Sequence, residues 1–352
     1  KIKLLYEFMQ KHTRYIGIQL GIGGWQPFEA SFIAAKGYGD CKGLSNYMYS
    51  ILKTAGIKSH YTWVRAGREY FNGQMNEDLP SNQFNHIILC VPVEKDTVWL
   101  ECTSQTSPAG YMGDFTGNRK VVIIADDGGK LVSTPRYGLN ENTQLRKIAA
   151  KLSDDGMLNM HVQTAYRAIQ QEDVSGMITH LSKEKVKERL NQKFRLATYD
   201  ITDFSYTEKK SALPEVIEDL KITVPDYATI TGKRIFILPN ILNKNGDRLT
   251  LEENRTVDYF FDMAWRDEDK VEIEIPAGYT VEAGLADASY KTKFGSYTTT
   301  LKLEGNKILY HRIMEKFEGR FPATDGKEIV KFMEDVYKAD RSRLVLVKAL
   351  AP

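Results

Sequence analysis

Apolar residues recur at intervals of three and four along Leu44, Tyr47, Met48, Ile51, Leu52 and Ala55, which predicts a helix with one buried stripe. Gly56 follows the last periodic position, where a left-handed C-terminal residue is expected. Gly37-Tyr38-Gly39-Asp40 forms a tight entry turn, so Cys41 stands at or just before the first turn of this helix. Upstream, Ile2, Leu5, Phe8 and Met9 mark a short amphipathic helix and Tyr15 to Leu20 an extended segment. Pro27 opens a second helix through Ala35, closed by Gly37. Downstream, β-forming runs occupy Ile57 to Ala66, Phe84 to Val93 and Thr97 to Thr103, with a polar loop from Gly67 to Asn82. Lys120 to Ala125 and Lys130 to Ser133 make a hairpin around Asp126-Asp127-Gly128-Gly129.

From about Asn142 the pattern changes. Short strands alternate with turns such as Asp154-Asp155-Gly156, Ala277-Gly278 and Glu304-Gly305-Asn306, which predicts an antiparallel β-sandwich. A helical patch from Gln171 to Phe194 interrupts it, and a helix from Lys327 to Ala339 precedes a last strand, Leu344 to Val347. The expected fold class is α+β. Helices and an antiparallel sheet fill residues 1–141, and an all-β sandwich-like domain with a few helices fills 142–352. A chain of 352 residues exceeds one ordinary core, which fits two domains.

Composition narrows the function classes. Apolar content of 42% and charged content of 27% are globular values. A net charge of +2 implies no basic face for nucleic acid, and no apolar run approaches the roughly 20 residues of a membrane span. The chain opens at Lys1 with neither initiator methionine nor signal peptide, as a mature or trimmed fragment would. Three cysteines imply no disulfide framework and leave the compartment open. Gly21-Ile22-Gly23-Gly24 lacks the spacing of a dinucleotide loop, and Asn243 to Asp247 lacks the first acidic ligand and distal glutamate of a calcium loop. No cofactor and no metal is expected, and nothing in the sequence fixes the oligomeric state.

The unpaired N–H groups at the start of its helix favour the thiolate of Cys41, the nucleophilic form, and Asp40 opposes it. A small buried core cysteine is the competing reading. A nucleophile of this kind needs a base, and the base an orienting group. Of six histidines, His60 and His86 lie on strands of the first domain. His86 and Glu101 are an odd number of residues apart, so a hairpin with an even-numbered loop allows them to face each other. That register sets Cys90 opposite Thr97 and Cys102 opposite Asn85, with the two thiols on different faces.

Gly39-Asp40-Cys41-Lys42, Leu52-Lys53-Thr54-Ala55-Gly56-Ile57, Phe84-Asn85-His86 and Trp99-Leu100-Glu101-Cys102-Thr103, in that order, resemble the transglutaminase-like superfamily over roughly Tyr15 to Tyr137. The resemblance implies a papain-like core with a triad of Cys41, His86 and Glu101. The carboxylate is one methylene longer than the family's usual aspartate, and Gly43 stands where an acidic residue is frequent. The run from Tyr15 to Pro27 is similar to a bacterial subgroup with β domains flanking the core. Val271 to Pro276, Phe294 to Tyr297 and Phe321 to Ala323 resemble its C-terminal β domain. The resemblance further implies a β domain upstream of Lys1 and export to the periplasm or cell surface.

The expected function is a cysteine peptidase or amidase acting on a peptide or protein substrate through an acyl-enzyme. The backbone N–H of Cys41 meets the oxyanion, with Gln19 or Trp25 as candidate partners. Tyr70, Phe71 and Met75, in the loop before His86, are substrate-loop candidates. Two alternatives stand beside this: transfer of the acyl group to an amine, as in a transglutaminase, and a non-catalytic binding module of the cell surface.

Overall fold

The computed structural model describes every residue except 68–74, 80, 95, 245, 247, 285 and 350–352. The chain divides into two compact units, Lys1–Tyr137 with Lys209–Pro214, and Gly138–Glu208 with Glu215–Pro352.

The first unit is α+β. It opens with α1 (Ile2–His12) and a short parallel pair, β1 (Arg14–Tyr15) with β2 (Tyr38–Gly39), separated by α2 (Ala30–Lys36). Next come α3 (Cys41–Thr54), β3 (His60–Val64), β4 (His86–Val93), β5 (Asp96–Leu100), the one-turn α4 (Gly113–Thr116), β6 (Lys120–Ala125) and β7 (Gly128–Ser133). The antiparallel sheet has the order β5-β4-β3-β6-β7. Strand alternation sorts its residues to two cores. Leu89, Val91 and Leu100 pack with Tyr6, Met9, Ile33, Leu44, Met48 and Leu52 of the three helices. Ile88, Cys90 and Trp99 pack with Val64, Met112 and Val121. Each fully buried aliphatic side chain here contributes about 1.5–3 kcal/mol of transfer free energy.

Three local expectations shift. The second helix begins at Ala30 rather than Pro27, with Glu29 in an extended conformation as its N-cap, and Asn46 Nδ2 donates to the Phe28 carbonyl ahead of it at 2.9 Å. The extended segment shortens to Arg14–Tyr15 and gives way to a single 3-10 turn at Gly21–Gly24, where Gly21 adopts φ +56°. The β4–β5 hairpin slides by two residues. Val93 pairs with Asp96, closing a two-residue loop, so Cys90 faces Trp99 and Pro92 faces Thr97. A slip of two leaves every side chain on its original face. Cys90 and Cys102 accordingly belong to the two separate cores, and all three cysteines are free.

The second unit is β-rich. Its elements are β8 (Thr143–Leu152), β9 (Leu158–Arg167), α5 (Glu172–His180), α6 (Lys183–Leu190), β10 (Asp200–Lys209), β11 (Glu215–Val224), β12 (Thr229–Thr231) and β13 (Arg234–Ile237). They continue with β14 (Tyr259–Phe261), β15 (Trp265–Glu274), β16 (Tyr279–Ala283), β17 (Ala288–Lys291), β18 (Gly295–Glu304), β19 (Lys307–Lys316), β20 (Gly319–Phe321), α7 (Gly326–Ala339) and β21 (Leu344–Lys348). An eight-stranded sheet, β10-β11-β9-β8-β15-β19-β18-β17, shares its core with a four-stranded sheet, β12-β13-β21-β16, and with α6. The large sheet is not purely antiparallel: β8 and β15 run parallel. Their pairing joins segments more than a hundred residues apart, which no local periodicity encodes. The helical patch divides in two because Ser182 caps a new helix, accepting from Lys185 N. Among the described residues no helix is long and apolar enough to cross a membrane.

Candidate active site

Cys41 is the first residue of α3 and nearly buried. Asp40 caps the helix: its carboxylate accepts from Gly43 N at 2.9 Å and pairs with Lys42 Nζ. The entry is unusually tight. A Cβ on Gly39 would lie 2.6 Å from Ile33 Cδ1, and one on Gly43 3.1 Å from the same atom and 3.4 Å from Asp40 Oδ1. The space in which an acidic side chain would stand at position 43 is thus taken by α2 and the capping carboxylate.

His86 begins β4 and is buried. Its approach is pinned by Asn85, whose amide closes two bonds with Ala66: Ala66 N to Oδ1 at 2.7 Å, and Nδ2 to Ala66 O at 3.0 Å. Phe115 of α4 meets the imidazole edge-on, with centroids 5.4 Å apart. Arg119 secures that turn by bonding the carbonyls of Phe115 and Asp114.

Glu101 follows the end of β5. Both of its oxygens lie at bonding distance from His86 Nε2, Oε1 at 3.0 Å and Oε2 at 2.9 Å. Continuing the hairpin register sets Glu101 beside Ile88, so the carboxylate reaches His86 along the diagonal, a span that suits its extra methylene. Thr103 donates to Oε1 from both N–H and hydroxyl. Tyr6 of α1 donates to the Glu101 carbonyl at 2.6 Å, and Gln10 of the same helix ties down the Ser104 and Ser107 carbonyls.

The Cys41 thiol lies within electrostatic reach of the His86 ring. Nε2 is committed to the carboxylate, which leaves Nδ1 without that partner. Burial alone would discharge the imidazole, but the Glu101 carboxylate and then Cys41 outweigh it, and the His86 pKa is pushed up to about 10. Glu101 also pays for burial, yet His86 and Thr103 hold its carboxyl below the usual value. The other thiols differ. Burial pushes Cys90 up to about 11, and burial followed by Glu101 raises Cys102 further. His60 sits opposite Cys90 at the other end of β3 from Val64, which faces His86.

The structure therefore brings Cys41, His86 and Glu101 together. It leaves Gln19 exposed and Trp25 74% exposed, with no hydrogen bond from either to those three among the described residues. The chain departs from β-pairing after Ile16 and turns at Gly21, which carries both side chains to solvent. Met75 is half-buried, and Tyr70 and Phe71 lie outside the described residues. Among the described residues no group of histidine, cysteine and carboxylate side chains could hold a metal ion. Sequence reasoning did not single out Thr103, Phe115 or Tyr15. Thr103 carries a faint signal, a hydroxyl two residues beyond the carboxylate; the others converge only in the fold.

Comparison with known proteins bears on the two units differently. Residues 233–346 match the family described as "Domain of Unknown Function with solved-structure structure (DUF3858)", and this range contains the three C-terminal stretches compared above. A crystal structure described as "a putative protease from Parabacteroides distasonis ATCC 8503" aligns over 98% of this chain, with a TM-score of 0.50 and 13% identity. This chain spans 51% of that one. The likeness is one of fold: an α+β arrangement with a β-rich C-terminal region. No curated protein matches the sequence.

Proposed function

We propose that this chain is a cysteine hydrolase of peptide or amide bonds, working through Cys41, His86 and Glu101. The observation that carries the reading is a buried imidazole held by a carboxylate at Nε2 and within electrostatic reach of a thiol at a helix N-terminus. In this reading the thiol proton rests on His86, whose basicity Glu101 raises. The thiolate attacks the substrate carbonyl carbon, and the π pair moves to oxygen. Collapse of that intermediate expels the amine, which takes the proton from His86. Water then gives a proton to His86 and attacks the thioester, releasing the acid and restoring the thiol. The fold shared with a protein described as "a putative protease" supports a peptide substrate, and the resemblance in the sequence supports action in the periplasm or at the cell surface.

The test is labelling with iodoacetamide at neutral pH, followed by acylation with p-nitrophenyl acetate with and without a primary amine. Cys41 labels faster in native than in denatured protein, and Cys41→Ala loses acylation by about a thousandfold or more. A native Cys41 that stays unlabelled while the denatured control reacts removes the enzyme reading. An amide product formed with the added amine redirects it to acyl transfer.

A further inference from the structure

The Tyr15 hydroxyl has no hydrogen-bond partner among the described residues, although it stands at the edge of the proposed centre. Its strand is fastened to the backbone that leads into the nucleophile. Tyr15 pairs with Gly39, Arg14 N donates to Gly37 O at 3.0 Å, and Ile16 N donates to Gly39 O at 2.9 Å. The phenol lies within electrostatic reach of Cys41, Asp40, Lys42 and Glu101, yet the residue is 46% exposed. Its hydroxyl passes over Gly17, where a Cβ would sit 3.3 Å away, so the glycine leaves that group clear. Exposed to solvent and fastened beside Gly39, that hydroxyl is open to a group that arrives from solvent.

We propose that the Tyr15 hydroxyl donates a hydrogen bond to the carbonyl oxygen of the bound acyl substrate, as the side-chain partner of the Cys41 backbone N–H. This rests on the hydrolase reading above. The hydroxyl supplies a donor to oxygen as its charge develops, where such a group contributes most. Burial, and then the charges of Cys41 and Asp40, raise the phenol above its ordinary value, so it keeps its proton while the thiolate is formed.

Two reagents on Tyr15→Phe separate the possibilities. With p-nitrophenyl acetate the acetyl carbon bonds to Sγ, negative charge gathers on the carbonyl oxygen, and 4-nitrophenolate leaves with its electron pair. With iodoacetamide the Sγ–CH2 bond forms as iodide leaves, and no oxyanion appears. Tyr15→Phe lowers the acylation rate roughly a hundredfold while alkylation stays within about twofold of the parent, because only the first reaction builds the charge. Unchanged acylation overturns the inference and leaves the hydrolase reading standing. Equal losses with both reagents also overturn it, since Tyr15 then acts on the thiolate itself. A parent protein that the ester does not acylate overturns the hydrolase reading and the role of Tyr15 with it.

Discussion

Both units bury ion pairs, and the two clusters are built to opposite ends. In the second unit Arg312 grips Asp340 through Nε at 2.8 Å and Nη2 at 3.2 Å, and shares Asp269 with Arg146. Further donors join them: Asn240 and Tyr297 each donate to Asp340 at 2.7 Å, and Asn243 donates to Asp269 at 3.0 Å. Burial and then Asp269 raise the carboxyl of nearby Asp267 above its ordinary value. In the first unit the His86–Glu101 pair is also buried, but it lies within electrostatic reach of the Cys41 thiol. Dense mutual pairing marks the cluster that holds strands together. A buried acid–base pair beside a thiol marks the one that has chemistry left to do.

The comparison breaks most sharply at Glu101. Glu101→Gln keeps the shape but removes the charge that sustains the imidazolium, and Cys41 acylation falls about 10²- to 10⁴-fold. Rates with p-nitrophenyl acetate measure it, and a loss under about tenfold would make Glu101 merely structural. Arg312→Met strikes the other cluster. It leaves Asp340 buried without its cationic partner and Asp269 with Arg146 alone, and costs about 3–5 kcal/mol in urea unfolding. Iodoacetamide labelling of Cys41 stays at the parental rate in the folded protein. A cost below about 1 kcal/mol would mean that solvent already screens the cluster.

The last test is the dependence of stability on pH. The folded value for His86, about 10, lies above its ordinary 6.5. Its contribution is therefore full below about 6.5 and is lost as pH rises toward 10. Glu101 has the opposite sign: its lowered value makes a contribution present above its usual 4.5 and lost as the pH falls through the folded value. Thermal melts from pH 6 to pH 10 show a steeper decline in the parent than in His86→Gln, which lacks the titrating group. Parallel curves would show that the pair gives no net stability over that range.

How much of this was legible depends on the distance over which each feature is encoded. The helix carrying Cys41 is local, with its stripe, its cap Asp40 and its closing Gly56, at φ +72°, all within one short stretch. That His86 and Glu101 share a sheet face follows from the parity of their spacing. Parity could not supply the register, because the length of the hairpin loop decides that and several lengths give the same faces. The parallel contact of β8 with β15, the crossing of Tyr15 beside Gly39, and the bracing of Glu101 by Tyr6 depend on long-range packing. No periodicity reports such contacts. The strands of the large sheet are also longer than their turns suggested: β8, β9, β15, β18 and β19 each run ten residues.

The two-residue loop between Val93 and Asp96 has a consequence for which sequences this fold tolerates. A single inserted residue there, unless absorbed as a bulge, would turn everything after it to the opposite face and carry Glu101 away from His86. The number of residues between Val93 and Asp96 is what fixes the face. A segment at the far end of the hairpin is therefore as intolerant of insertion and deletion as the centre itself, although it touches none of it.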